Sequence, residues 1–127
     1  MSGEWSSKPY HMFLQLKHPK LNIFKFSRSF VGECYRLTNE LPIEERYNLV
    51  SQIRRAALSV YLNIAEGASR KSSVERKRFY EMTRGSVVEM DAALDIVEDI
   101  GYIKREKIEQ LGFLMIKCFK ILCGLIN

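Results

Sequence analysis

The sequence has few of the residues that form metal centres, disulfides and tight turns. Its 127 residues include two histidines, three cysteines, three prolines and seven glycines. So little proline and glycine argues against a turn-rich all-β fold. Cys34, Cys118 and Cys123 are odd in number and lack the spacing of zinc ligands, so we expect reduced, buried thiols. We expect no metal and no cofactor.

Long apolar runs and targeting signals are also missing. The longest uncharged stretch, residues 56–65, is far too short to span a bilayer. The first five residues lack the basic region and apolar core of a secretory signal, so we expect a cytoplasmic protein without membrane contact. The chain contains no Gly-rich phosphate loop, no His-Glu-x-x-His and no Gly-x-Ser-x-Gly, and we expect no enzymatic activity.

Helical periodicity fills most of the chain. Residues 1–20 show no clean period and form an N-terminal arm, whereas residues 21–127 predict one domain. There, apolar residues recur at steps of three and four over about 21–40, 42–68, 73–100 and 104–126. Four amphipathic helices with short links predict an all-α, antiparallel, up-down-up-down four-helix bundle.

The expected helix ends and core positions follow from the same pattern. Pro42 starts the second helix, Ser72 and Glu75 form a capping box for the third, and Gly101 ends it. Glycines 32, 85 and 112 lie inside helices, where we expect close helix contact. The predicted core comprises, helix by helix, Ile23, Phe26, Phe30, Cys34, Leu37 and Leu41; Leu49, Ile53, Ala56, Val60 and Ile64; Phe79, Met82, Met90, Ala93, Val97 and Ile100; and Ile108, Leu111, Met115, Cys118, Leu122 and Leu125.

The second helix is apolar on more than its core face. Leu58, Tyr61 and Leu62 lie outside that face, and one bundle covers only about half of a helix. Either the N-terminal arm covers these residues or they form a subunit interface, which we favour. Polar residues of this helix form a stripe at steps of three and four, which is a ligand or catalytic row, a solvent strip or a buried network that fixes helix register. The stripe comprises Gln52, Arg55, Ser59, Asn63, Glu66 and Arg70.

Charge along the third helix opposes its macrodipole, which favours acids at the start and bases at the end. In the predicted topology one end of the bundle collects twelve bases and three acids, a net charge of +9, and the rest of the chain carries −4. We expect nucleic-acid phosphates at the basic end. A solvated surface and the acidic end of a neighbouring subunit are the alternatives. The candidate phosphate-binding residues are Arg70, Lys71, Arg76, Lys77, Arg78 and Arg84.

The remaining candidates are aromatic and acidic. Tyr35, Phe79 and Tyr80 are candidates for base stacking, although Phe79 fits the core better. At the acidic end we expect the acids of helix three to pair with Lys104, Arg105 and Lys107 across the turn. A divalent-metal site at Asp91, Asp95 and Glu98 is the alternative, and it lacks the Glu-x-x-His motifs of di-iron bundles.

The second helix also carries a family resemblance. Residues 46–59 (RYNLVSQIRRAALS), followed by 63–67 (NIAEG), resemble the signature of the four-helix-bundle proteins called 23S rRNA intervening-sequence proteins. Arg84-Gly85-Ser86 with Glu89 adds to the match, and Val60-Tyr61 departs from a pattern that often has proline after the serine. The resemblance covers about residues 21–127.

The resemblance implies a basic bundle connected with RNA. Some members are encoded inside insertions in bacterial 23S rRNA genes. Others are similar to accessory proteins of diversity-generating retroelements, which form pentameric rings and bind reverse transcriptase and nucleic acid. The family supplies no catalytic residues. We therefore expect a non-catalytic homo-oligomer that binds RNA or DNA. The alternative is a protein-interaction scaffold, or an accessory subunit of a polymerase such as a reverse transcriptase, without direct nucleic-acid binding.

Overall fold

The computed structural model describes residues 13–14 and 22–127. In that part of the chain four helices follow one another: α1 (Asn22–Thr38), α2 (Ser51–Ala68), α3 (Ser73–Ile100) and α4 (Arg105–Ile126). Helix α1 packs against α2 and α4, and α3 packs against the same two helices. These contacts confirm the all-α four-helix bundle. Apart from residues 13–14, the arm predicted over residues 1–20 lies outside the described residues.

The entry to α2 differs from the prediction. Pro42 has extended backbone angles, and a 3-10 turn (Ile43–Glu45) and a π-helical turn (Arg46–Val50) precede the α-helix. The prediction of α-helix directly after Pro42 is therefore wrong over residues 43–50. The apolar period that predicts the helix begins only at Leu49, so it carried no information about the turns before it.

The predicted ends of α3 are confirmed. The Ser72 hydroxyl oxygen accepts a hydrogen bond of 3.3 Å from the backbone N–H of Glu75. At the other end Gly101 adopts φ 90°, and the N–H groups of Gly101 and Tyr102 donate to the carbonyls of Glu98 and Val97. This left-handed cap ends the helix because glycine adopts positive φ without steric cost.

The core prediction holds for α4 and is partly wrong for α3. Five of the predicted α4 residues are buried, and Leu125 is half-buried. On α3, Met82 and Ile100 are about half exposed, whereas Met90 and Val97 are buried as predicted. Helix α3 has one apolar face that is buried and a second apolar face, with Met82 and Ile100, that is exposed. Residues of both faces fit a spacing of three and four from Met90 and Val97, so the spacing alone could not separate the two faces. The α3 residues that are buried are Tyr80, Thr83, Val87, Met90, Leu94 and Val97.

Close helix contact occurs at a glycine that the prediction did not name. A Cβ atom on Gly67 would lie 2.9 Å from Phe79 Cβ and 3.0 Å from Tyr80 Cε1, so α2 and α3 approach closely there. A Cβ atom on Gly85 or Gly112 would meet nothing within 4 Å, so the prediction is wrong for these two. Gly32 is buried. No helix in residues 22–127 has the length and apolarity needed to cross a membrane.

Candidate nucleic-acid interface

Helix order brings basic residues to one end of the bundle, which we call the basic pole. The starts of α1 and α3 and the ends of α2 and α4 lie there, and the Lys117 ammonium lies 5.3 Å from the centre of the Phe26 ring. In residues 22–127 this end holds ten bases against Glu66, Glu75 and Glu81, a net charge of +7. The predicted contributions of Lys17 and Lys20 lie outside the described residues. The ten bases are Lys25, Arg28, Arg70, Lys71, Arg76, Lys77, Arg78, Arg84, Lys117 and Lys120.

Three of the six candidate phosphate-binding residues face solvent. Lys71 lies in the connection between α2 and α3, and Lys77 and Arg78 lie in the first two turns of α3. All three are exposed. None of them takes part in an ion pair with another described residue. Their charged groups are therefore accessible to a ligand from solution.

Arg76 has a different position, because its side chain turns back onto the chain. Its Nη1 donates hydrogen bonds of 3.0 Å to the Arg70 carbonyl and 2.8 Å to the Lys71 carbonyl. These carbonyls follow the last turn of α2, where the helix has no further N–H groups to satisfy them. Arg76 therefore fixes the connection between α2 and α3, and its charge has no carboxylate partner among these contacts.

Arg70 and Arg84 are half-buried and contact neighbouring side chains. Arg70 binds Glu66 at 2.7 Å, and its guanidinium carbon lies 5.0 Å from the centre of the Phe79 ring. The Nε atom of Arg70 is buried and has no hydrogen-bond partner among residues 13–14 and 22–127. Arg84 Nη1 lies 3.7 Å from the Cys123 sulfur, so it faces the last turns of α4. The structure thus separates the six candidates into an outward group and an inward group.

The aromatic candidates are not arranged for stacking on a base. Tyr80 is buried, and Arg70 covers Phe79. Tyr35 lies under Arg54, whose guanidinium carbon is 4.6 Å from the ring centre. Burial overturns the suggestion of base stacking for Tyr80, and an arginine already covers one face of each of the other two rings.

At the opposite end, which we call the acidic pole, two ion pairs join charged residues of different elements. Arg105 binds Glu98 at 3.0 Å across the turn between α3 and α4, as predicted. Lys107 binds Glu40 at 2.9 Å, which is an acid that follows α1 rather than one on α3. No group of three or more metal-ligating side chains occurs in the part of the chain that the structure describes, so nothing there supports the metal alternative at Asp91, Asp95 and Glu98.

The polar stripe of α2 divides into three separate pairs. Arg55 donates to Gln52, and Arg70 donates to Glu66. Between them Asn63 Nδ2 lies 3.0 Å from both the carbonyl and the hydroxyl oxygen of Ser59. The Ser59 hydroxyl lies 3.0 Å from the Ser86 hydroxyl of α3. The middle pair therefore joins two helices, which is what the register-fixing alternative requires.

The apolar face of α2 remains open over part of its surface. Leu58 is 40 % exposed and Leu62 is 60 % exposed. Tyr61 is half-buried and packs edge-on against Phe24 of α1, with ring centres 6.1 Å apart. Burial raises the pKa of the Tyr61 hydroxyl, and the charge of Arg28 opposes that rise. Two of the three candidate interface residues are thus available to another molecule.

The three cysteines differ in burial, and two of the thiols are held in their protonated form. Cys34 and Cys118 are buried as predicted, and Cys123 is half-buried. Burial raises the pKa of Cys118 to about 12. Burial, with the neighbouring charges of Glu33 and Cys118, raises the pKa of Cys34 even further. Both buried thiols stay protonated at neutral pH, and a protonated thiol is a poor nucleophile.

Two features escaped prediction from the sequence. Arg54 on α2 donates to the Thr38 hydroxyl at 2.8 Å and to Asn39 Oδ1 at 2.9 Å, which ties the end of α1 to α2.

A groove of about 310 Å³ lies between α3 and α4, lined in part by Val88, Ile116 and Phe119. The sequence could have indicated this groove, because these three residues are apolar and lie outside the predicted core faces.

The comparisons with known proteins agree with this architecture. A crystal structure of a protein of unknown function from the S23 ribosomal protein family of Bacteroides thetaiotaomicron VPI-5482 superimposes with a TM-score of 0.76. That protein is 21 % identical, and the match covers 83 % of this chain and 98 % of the other, so the likeness supports the fold. None of the curated proteins compared with the chain matches it. The family model described as 23S rRNA-intervening sequence protein matches residues 19–124. The chain therefore belongs to the 23S rRNA-intervening sequence protein family.

Proposed function

We propose that the protein binds the phosphates of RNA or DNA through its basic pole and that it is not an enzyme. The observation that carries the proposal is the outward position of Lys71, Lys77 and Arg78. These bases are exposed and make no ion pair with a described residue, in a region of net charge +7. Neutralising phosphates releases counterions, which is the main driving force of non-specific binding to nucleic acid.

The proposed interface recognises backbone rather than sequence. Lysine and arginine side chains that contact phosphates position a nucleic acid, whereas specific recognition needs contacts to base edges. The rings of Tyr35, Phe79 and Tyr80 are engaged within the protein, so they offer no stacking platform. We therefore expect a weak preference among sequences and a strong dependence on salt.

A salt titration with paired charge reversals tests this proposal. Lys77→Glu with Arg78→Glu removes two outward bases from the basic pole. Arg46→Glu with Lys104→Glu is the matched control, because both residues are exposed, lie toward the acidic pole and change the net charge by the same amount. We expect the first variant to reduce the salt dependence of binding to a structured RNA by about two phosphates and the control to leave it nearly unchanged.

The outcomes of this experiment are distinct. A steep salt dependence that decreases only in the basic-pole variant supports the proposal. Equal losses in both variants would show that net charge alone attracts the RNA, and this would overturn it. No binding by the parent protein at low salt would also overturn it and would favour the scaffold or polymerase-accessory alternative.

We also propose that copies of the protein associate through the open face of α2. Leu58 and Leu62 are adjacent on that helix and exposed, and exposed apolar pairs of this kind are common at subunit contacts. Light scattering of the parent protein is expected to give a mass several times 14.8 kDa. Leu58→Asp with Leu62→Asp should lower the mass, and Met82→Asp, an exposed apolar control on α3, should not. A monomeric parent would overturn this part of the proposal.

A further inference from the structure

The groove between α3 and α4 has two halves of different chemistry. The half nearer the basic pole is mainly apolar: the exposed parts of Val88, Ile116 and Phe119 line it, with Asp91 and Lys120 as its charged residues. The half nearer the acidic pole has a volume of about 140 Å³. Asp91 and Met115 line both halves, so the groove is continuous. It thus presents an apolar section followed, along the helix axes, by an acidic section.

The acidic section has more negative charge than its own bases neutralise. Asp91, Asp95, Glu98 and Glu109 line it, and the one base in the lining, Arg105, is bound to Glu98. The groove therefore fits a segment that carries apolar side chains next to basic ones. Opposite charges across such a contact also fix the direction in which a segment lies.

The N-terminal arm of this chain has that combination. Residues 10–16 (YHMFLQL) are mainly apolar, Lys17 and Lys20 follow directly, and no acid occurs from residue 5 to residue 20. Phe13 is 98 % exposed and Leu14 is 71 % exposed, so the bundle of the same copy does not cover them. Among the described residues of one copy, none covers this apolar pair or the apolar section of the groove.

The spacing of the two features also agrees. Val88 and Asp95 are seven residues apart on α3, which corresponds to about 10 Å along the helix axis. Phe13 and Lys17 are four residues apart, which an extended chain spans with about 13 Å. In the contact proposed below, an arm that extends on docking and places Phe13 in the apolar section would bring Lys17 over the carboxylates of Asp91 and Asp95.

We propose that the N-terminal arm of a second copy of this chain docks in the groove between α3 and α4. The apolar residues around Phe13 and Leu14 cover Val88, Ile116 and Phe119, and Lys17 and Lys20 face the acidic section. This contact is separate from the face of α2 and from the basic pole, and it does not depend on nucleic-acid binding. It is a third interaction surface of the bundle, and a second copy of the chain supplies its occupant.

Cross-linking of the full-length protein tests the contact directly. Equal amounts of unlabelled and heavy-isotope-labelled protein are mixed, and a carbodiimide joins lysine amines to carboxylates in direct contact. We expect mass spectrometry to find peptides in which Lys17 or Lys20 is joined to Asp91, Asp95 or Glu109, with one half from each isotopic form. Cross-links that form only within one isotopic form would overturn the proposal, and so would their complete absence.

Two variants show whether the cross-link reports the groove. Ile116→Asp places a charge in the apolar section at a residue that is about half exposed, and Phe13→Asp does the same on the arm. Each should lower the yield about tenfold, because an unpaired charge disfavours an apolar contact. Met82→Asp is the control, because Met82 is a half-exposed apolar residue of α3 outside the groove lining and outside the face of α2, and it should leave the yield unchanged. If the yield survives Ile116→Asp and Phe13→Asp in protein of unchanged helical circular dichroism, the proposal is wrong.

Discussion

At the acidic pole, acids and bases of different helices form ion pairs, whereas at the basic pole the ion pair of Arg70 with Glu66 is local, and the contacts between elements are made to backbone and to neutral groups. Glu98 binds Arg105 and Glu40 binds Lys107, so two of the acids at this end are paired with bases. At the other end Arg76 binds two carbonyls and Gly67 lets α3 approach α2 closely. The first arrangement joins helices through pairs of opposite charge, and the second joins them through contacts that leave the basic charge uncancelled.

This difference explains how a helix with reversed charges remains stable. Bases in the first turns of α3 cost about 0.3–1 kcal/mol each near the terminus, because the macrodipole disfavours them. Arg76 offsets part of that cost by satisfying the carbonyls of the connection before α3. Lys77 and Arg78 have no such compensation among the described contacts. The contacts that join the helices at this end are therefore packing and carbonyl contacts, and the ion pair of Arg70 with Glu66 is local to the end of α2.

The largest loss of stability is expected from a substitution of Gly67, at the basic pole. A Cβ atom there would lie 2.9 Å from Phe79 Cβ, so Gly67→Ala should lower the free energy of unfolding by about 1–3 kcal/mol, which is the usual cost of overpacking. Gly85→Ala is the matched control on α3. Its Cβ atom would meet nothing within 4 Å, so we expect it to stabilise the protein by about 0.5–1 kcal/mol. Urea denaturation measures both, and destabilisation of equal size in the two variants would contradict the close approach at Gly67.

The stability costs of removing one arginine at each pole, Arg76 and Arg105, should differ in size and in salt dependence. Arg76→Ala removes two hydrogen bonds from a charged group to carbonyls and should cost about 1.5 kcal/mol. Arg105→Ala removes an exposed ion pair and should cost less than about 1 kcal/mol. Denaturation in about 1 M salt should reduce the effect of Arg105→Ala and leave that of Arg76→Ala, because salt screens exposed ion pairs. Salt sensitivity of the Arg76 effect would argue against its attribution to carbonyl contacts.

The smallest effect is expected at Tyr102, and it depends on pH. The Tyr102 hydroxyl donates to Glu45 Oε2 at 2.8 Å, and this bond, then burial and the negative charges of Glu45 and Glu44, raise the pKa of Tyr102. Since the folded-state pKa is raised, the stabilisation is complete below the ordinary tyrosine value of about 10 and is lost as pH rises through the raised value. Thermal denaturation should therefore show a difference in Tm between the parent protein and Tyr102→Phe that is constant up to about pH 9 and shrinks above pH 10. A difference in Tm that grows above pH 10 would contradict a raised pKa of Tyr102 in the folded protein.

Sequence periodicity predicted the bundle and the core of α4 because that helix keeps one apolar face along its length. It failed on α3, where Met82 and Ile100 belong to a second apolar face that remains exposed. The periodicity cannot separate two faces when the partner helices are unknown. The caps of α3 were predictable from Ser72 and Gly101, since capping depends on local residue types alone.

The basic pole was predictable as a set of charges but not as a set of contacts. Helix order alone brings Arg70, Arg76 and Lys77 to one end. Which of them turn inward depends on backbone carbonyls and on rings such as Phe79, whose positions follow only from packing. Arg54 shows the same limit, because its partners Thr38 and Asn39 lie across a connection whose geometry the sequence pattern does not determine.

The separation of charge between the poles also affects the rate at which partners meet the protein. The described part of the chain carries +7 at one end and −4 over the remainder, and α3 with its 28 residues extends about 42 Å between them. A molecule with this charge distribution experiences a torque in the field of a polyanion. The torque turns the molecule during its approach, so that the basic end arrives first. Encounters are thereby oriented before any contact forms, and the association rate constant should fall with ionic strength more steeply than the dissociation rate constant changes.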